Sequence, residues 1–125
     1  VEQIDWPDFL QDLNDRRYAF YSSGWIADYP DPQNFVDLLF YSQSSQNHTG
    51  YANPEVDALL EQARIEQDDE RRAALYEQAE LVILREAPWV PLTHGVAYTL
   101  VKPWVQGYSS GAGLYPWLKD IYLGD

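Results

Sequence analysis

The sequence predicts an α/β fold in which short strands accompany a surface helical hairpin. Three observations point there. Between Asn53 and Glu86, apolar residues recur at helical spacing behind two N-cap signals, which gives two consecutive helices. Short runs rich in aromatic and β-branched residues at 18–24, 89–94 and 96–101 read as strands. Finally, 125 residues of which 46% are hydrophobic are enough for the core of one domain.

The first element begins at Asp5-Trp6-Pro7-Asp8, where Asp5 can cap, proline sits in the first turn and acids lie near the positive end of the helix dipole. Trp6, Phe9, Leu10 and Leu13 continue at helical spacing to about residue 14. Asp15-Arg16-Arg17 is a polar turn, and the 18–24 strand comes next. It runs into Gly24-Trp25-Ile26-Ala27-Asp28-Tyr29-Pro30-Asp31-Pro32, an indole followed by two aspartates on a backbone stiffened by prolines. Composition leaves two readings. One is a strand and a turn, since Pro-Asp-Pro is turn chemistry. The other is a rigid acidic loop that presents a carboxylate to a cation beside a shielding ring.

Residues 34–41 hold Phe35, Val36, Leu38, Leu39 and Phe40, which suits one or two buried helical turns. The uncharged Ser/Gln/Asn-rich stretch 42–50 is a surface loop. Its Asn47-His48-Thr49 fits the glycosylation triplet by chance and is assigned no function. Asn53-Pro54-Glu55 caps a helix that runs to about residue 65 with Val56, Leu59, Leu60 and Ala63 on one face. The chain breaks at 67–70, Asp68 or Asp69 caps the restart, and Leu75, Ala79, Val82 and Ile83 form the inner stripe to about residue 86. Pro88 ends the hairpin and Gly95 divides the two strands beyond it. Residues 102–108 turn away, 109–113 are small and loose, and 114–123 close the chain with apolar residues.

Composition excludes several functions. A net charge of -12 repels phosphate backbones and argues against a nucleic-acid partner. The absence of cysteine removes disulfides, thiolate metal sites and cysteine nucleophiles. No apolar run of about 18 residues is long enough to span a bilayer. The opening Val1-Glu2-Gln3-Ile4 reads like the interior of a longer chain. Five tryptophans and ten tyrosines exceed what such a core needs, so some are expected on a recognition surface.

Catalytic constellations are missing. The only histidines, His48 and His94, lie in a polar loop and at a strand end, there is no Gly-x-Ser-x-Gly elbow, and two distant imidazoles make no metal site. No catalytic residue, metal or cofactor is expected. Asp28 and Asp31, flanked by Trp25 and Tyr29, could form the acid/base pair of a carbohydrate-active domain. Three residues apart on one stiff loop, they more readily build a cap or turn.

Four blocks in order carry a family resemblance: Gly24 to Pro32 followed by Phe35; Tyr51-Ala52-Asn53-Pro54-Glu55-Val56-Asp57 with Leu59-Leu60; Asp69 and Arg71 followed by Tyr76, Ala79 and Glu80; and Pro88-Trp89-Val90-Pro91-Leu92 leading to Val101-Lys102-Pro103-Trp104-Val105-Gln106-Gly107-Tyr108. With them the chain resembles the C-terminal part of the family 5 extracellular solute-binding proteins, the peptide receptors of ABC importers. The resemblance implies part of the C-terminal lobe of a periplasmic-binding-protein-like (type II) fold, with 1–94 in the distal part of the second lobe and 95–125 returning through the hinge toward a first lobe not present. It implies a non-enzymatic receptor, periplasmic or extracellular, either free or lipid-anchored to the outer face of the cytoplasmic membrane, that captures peptides and delivers them to the permease subunits.

In the peptide-binding relatives the Trp-x-x-Asp at this place belongs to the cleft. Carried over, Asp28 anchors the ligand's amine, Trp25 is a cleft wall, Ile26 and Ala27 offer backbone groups, and His94 and Gly95 lie near the cleft where an aromatic is common in the family. Asp31 is left to shape the turn and cap the segment after it. Nickel-complex and sugar receptors share the fold, so the ligand class is not fixed by it. The carbohydrate-active domain and a stand-alone interaction module are the alternatives from other classes. A piece of such a receptor should expose apolar surface that its partners normally cover, and self-association or element swapping is expected of it.

Overall fold

The computed structural model describes residues 3–96, 98–109, 116 and 118–124. Helix α1 is Trp6–Asn14, with Asp5 in the extended conformation at the N-cap and a proline in the first turn. Only Leu13 of its apolar face is buried, and Trp6 is 64% exposed. Phe9 turns instead toward the chain beyond the helix, stacking on Tyr18 at 5.6 Å and meeting Tyr21 edge-on at 6.3 Å. Arg16 takes a left-handed φ of 53° to turn the chain back, and the Tyr18 hydroxyl donates to Asp12 at 2.8 Å.

A short 3-10 turn, Pro32–Asn34, leads into α2, Val36–Phe40. The long hairpin is α3, Pro54–Ile65, and α4, Asp69–Glu86. The Asn53 carboxamide accepts from the Glu55 and Val56 amides, and the Asp68 carboxylate accepts from the Arg71 amide, so each helix starts on a side chain that satisfies otherwise orphaned N–H groups. Ala87 closes α4 in the left-handed conformation, φ 49°.

The core lies between α2, α3 and α4. Val56, Leu60 and Ala63 of α3 face Tyr76, Ala79 and Ile83 of α4, with Val36 of α2 across one end. Alanines at 63 and 79 are fully buried and let the helix backbones approach closely. The inner stripe of α4 is thus Tyr76, Ala79 and Ile83, while Leu75 and Val82 flank it half-buried. Complete burial of Leu60 and Val56 is worth about 1.5–3 kcal/mol each.

The strand expectations require correction. Residues 18–24, 89–94 and the described part of 96–101 have no ladder pairing; the small sheet is instead β1, Val105–Gln106, antiparallel to β2, Tyr122–Leu123. A β-prone run becomes a strand only when a second segment meets its N–H and C=O groups. Among the described residues none does, and Phe20, Leu92, Tyr98 and Leu100 stand 91%, 78%, 90% and 100% exposed. The loose stretch expected at 109–113 falls mostly on residues 110–113, outside the described residues.

Two ion pairs tie the segment before the hairpin to it. Arg64 of α3 grips Asp37 of α2 through two guanidinium nitrogens at 2.7 and 2.8 Å and lies 4.0 Å over the Tyr41 ring. Arg72 of α4 grips Asp31 likewise at 2.7 and 2.9 Å. In the loop 42–50 the Asn47 amide is 1% exposed and donates to the Tyr41 and Tyr51 carbonyls, so the chance glycosylation triplet presents no free acceptor. No helix among the described residues is long and apolar enough to cross a membrane.

Candidate functional site

The loop 25–32 enters from the unpaired run 18–24 and leaves into the 3-10 turn, where α4 holds it through Arg72. Its prolines fix φ at 30 and 32, and Asp31 between them accepts from the Gln33 amide at 2.9 Å, the cap of Pro32–Asn34. The loop borders an open groove of about 590 Å³ lined by Trp25, Ile26, Ala27, Pro30, Asp31, Pro32, Phe35 and Gly95. Apolar surface dominates it, with Ile26 71% and Phe35 43% exposed.

The structure brings together four of the six residues that the sequence singles out. Trp25, Ile26, Ala27 and Gly95 line the groove, although Gly95 is distant in sequence. Asp28 comes directly after the first three in the chain but is not a lining residue; its side chain is exposed and its carboxylate has no partner among the described residues. His94 is exposed and outside the lining.

The two aspartates have separate fates. The Arg72 guanidinium holds the Asp31 carboxyl below its usual range, aided by the Gln33 amide. Asp31 is therefore committed as a charged cap and ion-pair partner, as the sequence suggested for its capping role, and does not supply a proton donor beside Asp28. An acid/base pair on one sugar loses its second member.

Asn34 and Arg72 are the site-shaping residues that the sequence did not reveal. Asn34 is fully buried, and its Oδ1 accepts from the Trp25 indole N–H at 2.9 Å and from the Asp28 amide at 3.3 Å. Its position at the head of an apolar segment was the only local signal. Arg72 lies 41 residues from Asp31, a separation at which no sequence period operates.

Trp25 also borders a smaller cavity of about 130 Å³ between α1 and the loop, with Trp6, Trp89 and Leu39 among its walls. His48 reaches it, and burial together with the nearby Arg16 charge pushes its imidazole below the ordinary value, toward the neutral form. The Tyr21 hydroxyl, on the same cavity, has no partner among the described residues, and burial raises it.

No family profile matches the chain. It is 30% identical over 123 residues to the oligopeptide-binding protein OppA of Bacillus subtilis, covering 98% of this chain and 22% of that protein. Heme-binding protein A of Haemophilus influenzae is 34% identical over 122 residues, 96% of this chain and 22% of the relative. Among solved structures, the unliganded open form of the periplasmic murein tripeptide binding protein MppA superposes with a TM-score of 0.80 at 28% identity, over 98% of this chain and 24% of that one. The chain spans about a fifth to a quarter of the length of these proteins.

Proposed function

Because the chain belongs to the family of solute-binding receptors that includes these oligopeptide-binding proteins, we propose that it is a part of a receptor which captures peptides outside the cytoplasmic membrane and delivers them to the permease of an ABC importer. In this reading residues 1–94 are the distal part of the second lobe and 95–125 return toward the first. The receptor is not an enzyme, and relatives bear names of binding proteins.

One observation carries the reading. Beside a groove walled by an indole and apolar side chains, Asp28 is an exposed carboxylate without a partner among the described residues, while its neighbour Asp31 is already neutralised by Arg72. An unpaired carboxylate next to a low-dielectric wall suits the α-ammonium of a peptide. Trp25 forms the wall, Ile26 and Ala27 offer backbone groups to the extended ligand, and Gly95, with His94 before it, borders the same groove from the other end of the chain.

A charge-assisted bond of this kind is worth about 1.5–3 kcal/mol, or roughly 10- to 150-fold in affinity. Titrating the receptor that contains this chain with short peptides and their N-acetylated forms tests it. Free peptides should bind tighter by that factor; equal affinity would remove Asp28 from the role.

A further inference from the structure

The residues that would touch a ligand sit on a loop with no regular secondary structure. What fixes their geometry is one buried carboxamide. Asn34 Oδ1 uses both lone pairs inward, accepting the indole N–H of the groove wall at 2.9 Å and the backbone N–H of the candidate anchor at 3.3 Å. Asn34 is 0% exposed, and its Nδ2 has no partner among the described residues. Burying an amide with half its capacity unused is unfavourable, so a purely structural filler at this place would be apolar. An aliphatic side chain would fill the volume but leave the indole N–H and the amide of Asp28 unanswered.

We propose that Asn34 is the positioning residue of the solute site, the group that sets the Trp25 wall and the Asp28 backbone in one arrangement through a single shared acceptor. The inference rests on the reading that this groove takes the solute. Asn34 is placed for the task because the 3-10 turn that carries it is anchored on its other side by Asp31 and Arg72 to α4. The orientation of the wall is thereby referred to the rigid hairpin rather than to the loop itself.

The test uses the receptor containing this chain, tri-alanine as probe, and the Trp25 indole N–H resonance, assigned by its loss in Trp25→Phe. In Asn34→Leu the resonance should lose its protection from solvent exchange and tri-alanine affinity should fall about tenfold, the equivalent of ~1.4 kcal/mol. Asn34→Gln, which keeps a neutral carboxamide acceptor and brings no charge into this fully buried place, should retain more of the indole protection and more of the affinity than Asn34→Leu. An Asn34→Leu protein with unchanged melting temperature, a protected indole and wild-type affinity overturns the proposal. Should Asn34→Leu fail to fold, Asn34→Ala, which likewise removes the acceptor, takes its place under the same criteria. If the wild-type receptor does not bind tri-alanine, the peptide reading fails alone; the role of Asn34 then stands or falls on whether the indole loses its protection.

Discussion

Replacing Arg64 by methionine keeps most of the aliphatic stem of that side chain and removes the guanidinium that answers Asp37. The Asp37 side chain is 5% exposed and both of its oxygens are bonded to Arg64, so the variant leaves a carboxylate in the interior with neither partner nor easy access to water. Breaking a buried pair in this way costs about 3–5 kcal/mol. Arg64 itself is 35% exposed, however, and water can enter where its head group was, which lowers the expectation to about 2–3 kcal/mol. Loss of the contact with the Tyr41 ring adds about 0.5–1 kcal/mol.

Guanidinium unfolding monitored by far-ultraviolet circular dichroism reads the result. With a slope of roughly 3–4 kcal/mol/M, the midpoint should fall by about 0.6–1.3 M. Asp37→Asn should cost less than Arg64→Met, because the half-exposed guanidinium left behind can be hydrated whereas the carboxylate cannot. A double variant, Asp37→Leu with Arg64→Met, should recover most of the loss. Destabilisation under about 0.5 kcal/mol in Arg64→Met, or the reverse order of the two single variants, would refute the reasoning.

Three further outcomes are expected. Leu60→Ala, at a fully buried site in the α2/α3/α4 core, should lower stability by about 2–5 kcal/mol in the same assay, and a loss below about 1 kcal/mol would mean that the core collapses around it. Gly107→Ala should disrupt the β1/β2 pairing, since Gly107 has φ +73° and an added Cβ would collide with the Asp120 carbonyl; unchanged amide exchange at Val105 and Gln106 would contradict this. Asp31 is held below its usual pKa by Arg72, so its contribution is present above the unfolded value of about 4 and lost as pH falls below that through the lower folded value. Arg72→Met should flatten the acid limb of a stability-versus-pH profile in that window, and an identical limb in the variant would refute the assignment.

Features decided locally were legible in the sequence. The starts at Asp5, Asn53 and Asp68 are set by a capping side chain within three residues of the N–H groups it serves, or by a proline placed where no N–H is needed. The ends of α3 and α4 are legible too, because helical spacing of apolar residues persists to them. Strand assignment failed at 18–24, 89–94 and 96–101 since ladder pairing is set by a distant partner, not by the β-preference of the run. The same limit hid the ion pairs, whose members are 27 and 41 residues apart. In the site, the constraint on 25–32 was visible as prolines, glycine and an indole, but the acceptor that organises it was a single asparagine with no pattern to mark it. On α4, hydropathy ranks Leu75 above Tyr76 for the inner stripe, although the phase of that stripe places the tyrosine inward.

The central claim, that the groove beside Trp25 takes a peptide whose amine meets Asp28, reduces to one coupling. Dissociation constants of the receptor for a tripeptide and its N-acetyl form are measured with Asp28 and with Asp28→Asn. The preference for the free amine should be about 10- to 150-fold with Asp28 and fall to within about twofold of unity in the variant. A preference that survives Asp28→Asn intact would place the amine elsewhere and contradict the account.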